Sequence, residues 1–463
     1  LFILRRMEGI NQFIEHPIEI QQRVLFSLLS QAKNTEYGKL HHFEEIKSYE
    51  DFDKQVPIVS YEDFEPFIEK ARQGNPDVFW PGKIKHFAKS SGTTNAKSKF
   101  IPISDESLQN CHYKAGKDLL AIYINNHRDS NLFKFKNLRL GGSAELYESF
   151  GTKFGDLSAI LIENLPFWVE RTTTPSREVS LMSEWETKLK AIVSEVKNKD
   201  VGSLTGVPSW MMVLLQRVLK DTGKKSISEV WPNLEVFFHG GISFVPYREQ
   251  YKQLIGKDIR YYEIYNASEG FFGIQDRFGS DEMLLMLDYG IFYEFIPMDT
   301  FGTENAKAVS LENVELGKNY AVVISTNGGL WRYLIGDTIR FTDLKPFRFK
   351  ISGRTKHYIN AFGEELMIDN VETALSKACQ ETNAKITDYT GAPVYMKDGE
   401  SGSHEWMIEF STEPNDFGRF SEIFDETLKS LNSDYEAKRY NNMTLKPPII
   451  HKARTNLFYD WMA

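Results

Sequence analysis

The sequence predicts a mixed α/β protein: a large N-terminal domain of β-sheets flanked by helices, and a small C-terminal α+β domain. Three observations support this. The 463 residues exceed the length of a typical single domain, which favours division into lobes. Helical periodicity dominates the first part, and β-branched and aromatic stretches fill the middle. From about residue 353, helix and strand alternate. We place the domains at residues 1–350 and 351–463.

The first part of the chain predicts amphipathic helices. In residues 18–33, IEIQQRVLFSLLSQAK, the apolar residues Ile18, Val24 and Leu28 stand at near-helical spacing. A second helix is expected to begin after the capping residue Ser60 and to end at Gly74. Further helices are predicted at residues 104–123, 181–197 and 208–220.

The middle and the C-terminal part combine strands with helices. Residues that are β-branched or aromatic, bounded by Gly, Asn or Asp, predict strands at 234–244, 259–274, 283–296 and 320–326. Towards the C-terminus, the pattern predicts a helix at 367–383, a strand at 405–410 and a helix at 416–433. The polar and basic segment 342–355, which contains Pro346, is the expected domain boundary.

Composition narrows the function classes. The net charge is −9 and no block of lysine or arginine is present, which argues against an extended nucleic-acid surface. Two cysteines, Cys111 and Cys379, cannot form a disulfide framework or a four-thiolate metal site, and they suit a reducing compartment. No apolar stretch is long enough to span a bilayer. We expect a cytoplasmic protein, with further residues ahead of Leu1, where Met is absent.

Residues 89–99, KSSGTTNAKSK, combine hydroxyls, a glycine and lysines. Small residues let backbone N–H groups approach a ligand, hydroxyls donate to its oxygens, and Lys97 or Lys99 adds positive charge, as in a phosphate cradle. The hydroxyl residues and the glycine are Ser90, Ser91, Gly92, Thr93 and Thr94. This is not a Walker A loop, because Ser98 stands where that motif has lysine. The alternative is a polar surface loop.

The stretch IYNASEGFFG places Ser268 and Glu269 directly after a predicted strand. A carboxylate at the end of a strand can bind Mg²⁺ together with substrate phosphate oxygens. The alternative is a turn or helix start, in which Asn266 or Ser268 is a cap.

The stretch GGLWRYLIGDTIRF contains Gly336 and Asp337 at the end of an apolar segment. An aspartate that accepts both ribose hydroxyls of a nucleotide makes two charge-assisted hydrogen bonds, each contributing roughly 1.5–3 kcal/mol. The alternative is an ordinary Gly-Asp hairpin turn.

The stretch ISGRTKHYINAFGEEL places Arg354 beside a glycine, before the predicted small domain. Such an arginine suits a hinge that reaches an anion after the domains rotate. The alternative is a basic turn on the surface.

Taken in this order, the four motifs resemble the adenylate-forming superfamily of firefly luciferase and acyl-CoA ligases. More closely, the chain resembles the auxin-responsive acyl-acid amido synthetase family: plant enzymes that conjugate indole-3-acetate, jasmonate or benzoates to amino acids, and their bacterial relatives. The stretches HGGISF and INAFGEEL resemble the bacterial branch of this family more closely than the plant branch. The stretches that carry the resemblance are SSGTTNAKSKFIP, LTGVPSW, FFHGGISFVPYR, YNASEGFFGI, WRYLIGDTIRF and GRTKHYINAFGEEL.

The resemblance implies an N-terminal adenylation domain that binds ATP and the acyl substrate, and a smaller, mobile C-terminal domain. In such enzymes ATP and a carboxylic acid give acyl-AMP and pyrophosphate, and an amine then attacks the activated carbonyl. The implied catalytic residues are Glu269, which also binds Mg²⁺, with Thr94 and Lys99. The implied ATP-binding residues are Ser90, Ser91, Gly92, Thr93 and Thr94 at the phosphates, His239, Gly240, Gly241, Ile242, Tyr265, Asn266 and Ala267 at adenine, Ser268 at the α-phosphate, Asp337 at the ribose and Arg354 at the pivot.

The expected function is therefore an ATP- and Mg²⁺-dependent ligase that joins a small carboxylic acid to an amino acid. We expect a monomer without nucleic-acid or membrane partners. The alternatives are an acyl-CoA ligase and a non-catalytic nucleotide-binding protein. His239 is a conceivable general base, although a structural role is favoured, and residues near Trp210 and Tyr113 belong either to the acid pocket or to the core. The family's adenylation lysine is expected beyond Ala463.

Overall fold

The structure is a computed structural model that describes residues 2–90, 99–141, 146–355, 358–364, 366–397 and 400–462. Its helices and strands confirm the mixed α/β class. The α-helices are α1 (Phe2–Glu15), α2 (Pro17–Ala32), α3 (Glu36–Leu40), α4 (Tyr49–Gln55), α5 (Tyr61–Arg72), α6 (Asp105–Ser107), α7 (Tyr113–Asn126), α8 (Leu157–Glu163), α9 (Phe167–Glu170), α10 (Arg177–Ser180), α11 (Trp185–Val196), α12 (Pro208–Thr222), α13 (Ile227–Val230), α14 (Arg248–Ile255), α15 (Ile368–Thr382), α16 (Phe417–Leu431), α17 (Ser433–Arg439) and α18 (Leu457–Met462).

The strands begin after the fifth helix and are most frequent in the middle of the chain. They are β1 (His86–Ser90), β2 (Lys99–Ile103), β3 (Lys136–Arg139), β4 (Tyr147–Ser149), β5 (Thr152–Gly155), β6 (Thr173–Thr174), β7 (Val201–Gly206), β8 (Val236–Gly240), β9 (Arg260–Ala267), β10 (Gly270–Ile274), β11 (Met283–Leu285), β12 (Ile291–Pro297), β13 (Val309–Ser310), β14 (Asn319–Thr326), β15 (Tyr333–Leu344), β16 (Phe347–Arg354), β17 (Tyr358–Ile359), β18 (Leu366–Met367), β19 (Lys385–Val394), β20 (Ser403–Thr412) and β21 (Ile449–Lys452).

The predicted helices are present, and their ends have clear local causes. Residues 18–33 correspond to α2, and the helix expected after Ser60 is α5. Ser60 caps α5 through a reciprocal pair of hydrogen bonds: its Oγ accepts from Asp63 N at 3.3 Å, and Asp63 Oδ2 accepts from Ser60 N at 2.9 Å. The helix α12 ends at Gly223, whose φ of 65° is left-handed. None of the described helices is both long and apolar enough to span a membrane.

Two of the predicted strands are each divided in the structure. Residues 259–274 form the hairpin of β9 and β10 instead of one strand, and residues 283–296 form β11 and β12. The segments at 234–244 and 320–326 correspond to β8 and β14. In the C-terminal part, α15, β20 and α16 are the elements that the pattern predicts. The division into two domains stays a prediction.

Twelve of the described strands form one hydrogen-bonded sheet, in the order β13-β12-β14-β15-β16-β11-β10-β9-β8-β7-β3-β6. Neighbours run parallel from β9 through β8, β7 and β3 to β6. On the other side of β9, neighbours run antiparallel. The parallel strands β3, β7 and β8 therefore end at one edge, which is where ligands bind in such sheets. The strands β2, β1, β5 and β4 form a separate sheet in that order.

The C-terminal segment packs on the helices that cover the parallel half of the large sheet. Phe362 and Trp406 share one apolar core with Met211 and other residues of α12. The loop 360–364 is held by hydrogen bonds, since Ser209 Oγ donates to Phe362 O at 3.0 Å and Tyr247 OH donates to Ala361 O at 2.7 Å. This contact places the segment after Arg354 beside the carboxyl ends of the parallel strands.

Candidate active site

Ser268 and Glu269 form the two-residue turn between β9 and β10. Ala267 and Gly270 are paired on either side of the turn, so both side chains stand beyond the last rung of the hairpin. The start of β10 is anchored from the helical side, because Phe271 N donates to the buried Cys111 Sγ at 3.2 Å. The alternative that residues 268 and 269 form a turn therefore describes the local structure. The same turn also places the Glu269 carboxylate beyond the ends of the two strands.

Asp337 lies within the strand β15, so the hairpin-turn alternative for Gly336 and Asp337 is wrong. Asp337 is paired with Arg354 of β16, and Arg354 Nε donates to Asp337 Oδ1 at 2.6 Å. The hydroxyl of Tyr265 donates to Asp337 Oδ2. Strand register, rather than proximity in sequence, thus joins three of the predicted ATP-binding residues. Tyr265 was expected at adenine, and its hydroxyl lies at the residue expected to bind ribose.

The charges around Glu269 come from every motif that contributes described residues. Burial raises the pKa of the Glu269 carboxyl, the positive charges of Lys99 and Arg354 oppose this effect, and Asp337 reinforces it. The pKa of the Tyr265 hydroxyl is raised well above its ordinary value by burial and by the Asp337 carboxylate. Tyr265 therefore keeps its proton near neutral pH and acts as a donor to Asp337.

The ends of the predicted phosphate loop are fixed in a hairpin. Ser90 is the last residue of β1, Lys99 is the first residue of β2, and the two are paired. The Lys99 Nζ atom lies 5.8 Å from the centre of the Tyr61 ring, whose hydroxyl accepts from Phe100 N at 2.9 Å. The hairpin brings Lys99 within electrostatic range of Glu269. The predicted residues Ser91, Gly92, Thr93 and Thr94 and the lysine Lys97 lie outside the described residues.

The carboxyl end of β8 requires its two glycines. A Cβ atom on Gly240 would lie 2.4 Å from the carbonyl oxygen of Ile264, a distance that no side chain tolerates. Gly241 has a left-handed φ of 85°. On the neighbouring strand, the Asn266 Oδ1 atom lies 3.4 Å from the same Cβ position, so Asn266 and Gly240 are adjacent. Ile242 is buried directly after this turn.

His239 is a buried ring rather than a base. It stacks on Phe244 with ring centres 4.1 Å apart. Burial lowers the pKa of His239 to about 3, and the positive charge of Arg248 adds to this effect. A group with that pKa takes up a proton too weakly to act as a general base near neutral pH, which supports the structural interpretation.

Comparison with known proteins identifies the family. The GH3 family N-terminal domain matches residues 6–259, the central domain matches residues 284–354, and the C-terminal domain matches residues 369–463. The chain belongs to the GH3 family. This GH3 protein is 23% identical to indole-3-acetic acid-amido synthetase GH3.2 of Arabidopsis thaliana, over 84% of this chain and 83% of that relative.

Solved structures of adenylate-forming enzymes share the fold of this GH3 protein. AtGH3.15 acyl acid amido synthetase in complex with 2,4-DB matches with a TM-score of 0.66 and 17% identity, over 99% of this chain and 90% of that one. A 2-hydroxyisobutyryl-CoA ligase matches with a TM-score of 0.56 and 14% identity, over 98% of this chain and 87% of that one. The resemblance to the amido synthetase family is thus confirmed. The relative named above is a plant protein, so assignment to the bacterial branch stays a prediction.

Sequence reasoning about this GH3 protein missed a buried ion network beside the site. Arg332, in the stretch WRYLIGD, has a positive φ of 41°. Its guanidinium donates to both carboxylate oxygens of Glu294, at 3.0 and 2.7 Å, and to Asp53 Oδ1 at 2.6 Å. The Tyr49 hydroxyl also donates to Glu294, at 2.9 Å. The only sequence signal was a charged residue within each of two apolar strand segments.

The residues of the GH3 site fit Mg²⁺ only together with a substrate. Among the described residues, no group of three or more His, Cys, Asp or Glu side chains lies close enough together to bind a metal. Mg²⁺ is commonly bound by one or two carboxylates with substrate phosphates and water. Glu269, which lies near Lys99 and Asp337, is a single carboxylate of the kind that such a site requires.

Proposed function

We propose that this GH3 protein is an ATP-dependent ligase that adenylates a small carboxylic acid and transfers the acyl group to the amine of an amino acid. The products are an amide, AMP and pyrophosphate. The observation that carries the proposal is the convergence of Glu269, Lys99, Asp337 and Arg354 at one end of the large sheet. The names of GH3.2 and GH3.15, both amido synthetases, support the reaction class.

Asp337 and Tyr265 provide the ribose subsite in this proposal. Each Asp337 oxygen accepts one hydrogen bond, from Tyr265 or from Arg354, and keeps a further lone pair for a ribose hydroxyl. The two existing bonds fix the plane of the carboxylate before the nucleotide binds. Preorganisation of this kind lowers the entropy lost on binding.

The adenylation step transfers charge rather than protons. A carboxylate oxygen of the acid attacks the α-phosphorus, an O–P bond forms, and the bond to pyrophosphate breaks. Lys99 stabilises the negative charge that gathers on the phosphates, and in Mg²⁺-dependent phosphoryl transfer the ion neutralises that charge when bound. Glu269 would hold the ion through its ionised carboxylate, which the positive charges of Lys99 and Arg354 favour against the effect of burial.

The second step requires no nucleophilic side chain. The neutral amine of the amino acid attacks the carbonyl carbon of the acyl-adenylate, a C–N bond forms, the C–O bond to the phosphate of AMP breaks, and the amine proton passes to water. His239 is too weak a base to assist, because burial lowers its pKa to about 3. Positioning of the two reactants therefore carries this step.

We also propose that the chain divides near residue 350 into an adenylation domain and a mobile C-terminal domain, and that it acts as a cytoplasmic monomer. The strand β16 ends at Arg354, which supports a boundary at this position. Both cysteines, Cys111 and Cys379, are free, which supports a reducing compartment.

The test is incubation of the protein with ATP, Mg²⁺ and a panel of carboxylic acids, with amino acids or coenzyme A, followed by mass spectrometry. We expect AMP and an amide conjugate when an acid and an amino acid are both present. A thioester formed with coenzyme A, without any amide, would favour the acyl-CoA ligase, whose fold is shared. Thermal stabilisation by ATP without AMP from any acid would favour the non-catalytic binder.

A further inference from the structure

Arg139 ends the parallel strand β3, close to the edge where the nucleotide residues lie. Along the sheet it is paired with Thr205, which is paired with Phe238, which is paired with Tyr262. Paired residues of neighbouring strands point to the same face of a sheet. The rings of Phe238 and Tyr262 contact Tyr123 of α7, with ring centres 5.4 and 5.3 Å apart. Arg139 therefore lies on the face that α7 covers.

At β3 and β7 this face carries polar side chains, unlike the opposite face of the same two strands. Asn137 Nδ2 donates to Ser203 Oγ at 2.9 Å and to Thr205 Oγ1 at 3.0 Å. On the opposite face, Leu138 and Leu204 belong to a continuous apolar core. A polar layer inside a protein needs partners for its groups, and the amide of Asn137 finds two on the neighbouring strand.

Arg139 differs from its neighbours because its guanidinium has no such partner among the described residues. Its Nε atom is buried without a hydrogen-bond acceptor, and no carboxylate of the described residues forms an ion pair with it. The nearby Glu170 pairs instead with Arg177, at 3.7 Å. The Tyr113 hydroxyl, also nearby, donates to Leu161 O at 2.9 Å. Burial lowers the pKa of Arg139 to about 10, with Tyr113 and Glu170 opposing the effect, so the side chain is charged at neutral pH.

A half-buried guanidinium whose Nε atom has no acceptor among the described residues is unfavourable until an anion reaches it. Two contacts connect the reacting centre to the neighbourhood of Arg139. Cys111 binds the backbone of Phe271, two residues after Glu269, and Tyr113 at the start of α7 lies within electrostatic range of Arg139. A substrate that extended from Glu269 along the start of α7 would therefore approach Arg139.

We propose that Arg139 binds a substrate carboxylate other than the one that is activated, and so selects the substrates of this enzyme. The inference rests on the proposed ligase function. Two sources share this chemistry: the second carboxylate of a dicarboxylic acid, and the α-carboxylate of the amino acid acceptor. A guanidinium is suited to either, because its planar fork matches carboxylate geometry in a bidentate pair.

The experiment compares the wild type with Arg139→Gln in two arms. The first measures pyrophosphate release without an acceptor, using monocarboxylic acids and dicarboxylic acids of equal length. If the acid is the source, the wild type prefers the diacid in kcat/KM, and the variant lowers this preference at least about tenfold. The second measures amide formation with an amino acid and with its carboxamide. If the acceptor is the source, the variant raises the KM for the amino acid at least about tenfold and leaves that for the carboxamide unchanged.

A matched control and a stability measurement separate binding from folding. Arg177→Gln removes a neighbouring arginine that already has a carboxylate partner. It should change neither the preference for dicarboxylic acids in kcat/KM nor the KM for the amino acid relative to its carboxamide. Arg139→Gln should unfold at the wild-type temperature or above, because it removes a half-buried charge that has no partner among the described residues. Arg139→Lys keeps the charge and should retain part of the preference.

Two results would overturn the assignment of Arg139. One is an active wild type together with an Arg139→Gln variant in which both the preference for dicarboxylic acids and the KM for the amino acid relative to its carboxamide are unchanged. The other is a variant with a lowered unfolding temperature and equal losses for all substrates, which indicates a structural role. Absence of pyrophosphate release by the wild type with every acid would instead refute the proposed ligase function, and the role of Arg139 with it.

Discussion

Two glutamates of the large sheet, Glu294 and Glu269, differ in the hydrogen-bond and ion-pair partners of their carboxylates. Burial raises the pKa of both carboxyls. Glu294 in β12 is fully buried and accepts hydrogen bonds from the Arg332 guanidinium and the Tyr49 hydroxyl. Glu269, at the β9–β10 turn, forms no ion pair with another described residue; its neighbours Lys99 and Arg354 act on it from a distance.

The difference separates structural from functional charge. A buried charge with a full set of partners holds elements together, and Arg332 joins α4, β12 and the start of β15 in this way. A partly buried charge without partners does not stabilise the fold, and it is suited to a ligand of opposite charge. By this criterion we propose Glu269 as a ligand for a cation and Arg139 as a ligand for an anion, whereas Glu294 and Arg332 stabilise the fold.

The largest effect is expected from Arg332→Met. The substitution leaves Glu294 buried without its cation, which should lower the free energy of unfolding by about 3–5 kcal/mol. Denaturant unfolding measures the change. The double variant with Glu294→Met should recover much of the loss, because no uncompensated charge remains. A loss below about 1 kcal/mol in the single variant would contradict the structural role of the pair.

Glu269→Gln should show the opposite pattern. We expect AMP formation at saturating ATP and Mg²⁺ to fall about 10²–10³-fold, the range observed when one electrostatic stabiliser is removed from an active site. The free energy of unfolding should stay equal to that of the wild type, because no described residue loses an ion pair. Near-normal turnover in this variant would remove Glu269 from the proposed mechanism.

The elements of the fold could be predicted where local sequence determines them. The helix α5 has a capping residue, Ser60, and a reciprocal acidic partner, Asp63, within four positions of each other. The hairpin of β9 and β10 was missed as a hairpin because its turn, Ser268 and Glu269, has neither glycine nor proline to mark it. Local sequence signals therefore predict whether a segment is a helix or a strand better than they predict where a turn divides it.

The candidate site could be predicted only as separate motifs. The structure brings Glu269, Asp337 and Arg354 near one another, and their roles stay predictions. The Tyr265 hydroxyl on Asp337 depends on the pairing of strands far apart in sequence. Arg139 was not found at all. An arginine in a short strand looks the same in sequence whether it faces solvent or a buried polar layer, and only the packing of α7 distinguishes the two.

Asp337→Ala tests the proposed ribose-binding residue, and its expected effect is smaller than that of Glu269→Gln. It removes a charge-assisted acceptor for ribose, so ATP binding should weaken by about 1.5–3 kcal/mol. Isothermal titration calorimetry measures the affinity. Asp343→Ala is the matched control: this carboxylate lies on the same strand but pairs with Arg348, at 3.0 Å. Equal ATP affinity in Asp337→Ala and the wild type would refute the ribose assignment.

The smallest effect is expected from Ser60→Ala, which tests whether the structural region can be weakened without changing the site. The substitution removes the Oγ that caps α5, so the free energy of unfolding should fall by about 1 kcal/mol. Ser60→Thr keeps the capping hydroxyl and should lose less. Tyr61, the first residue of α5, keeps its contacts with Phe100 N and Lys99. ATP affinity and AMP formation should therefore match the wild type. If AMP formation falls together with stability, the start of α5 belongs to the site. The distinction between structural and functional residues, which Glu294 and Glu269 illustrate, would then not apply to this helix.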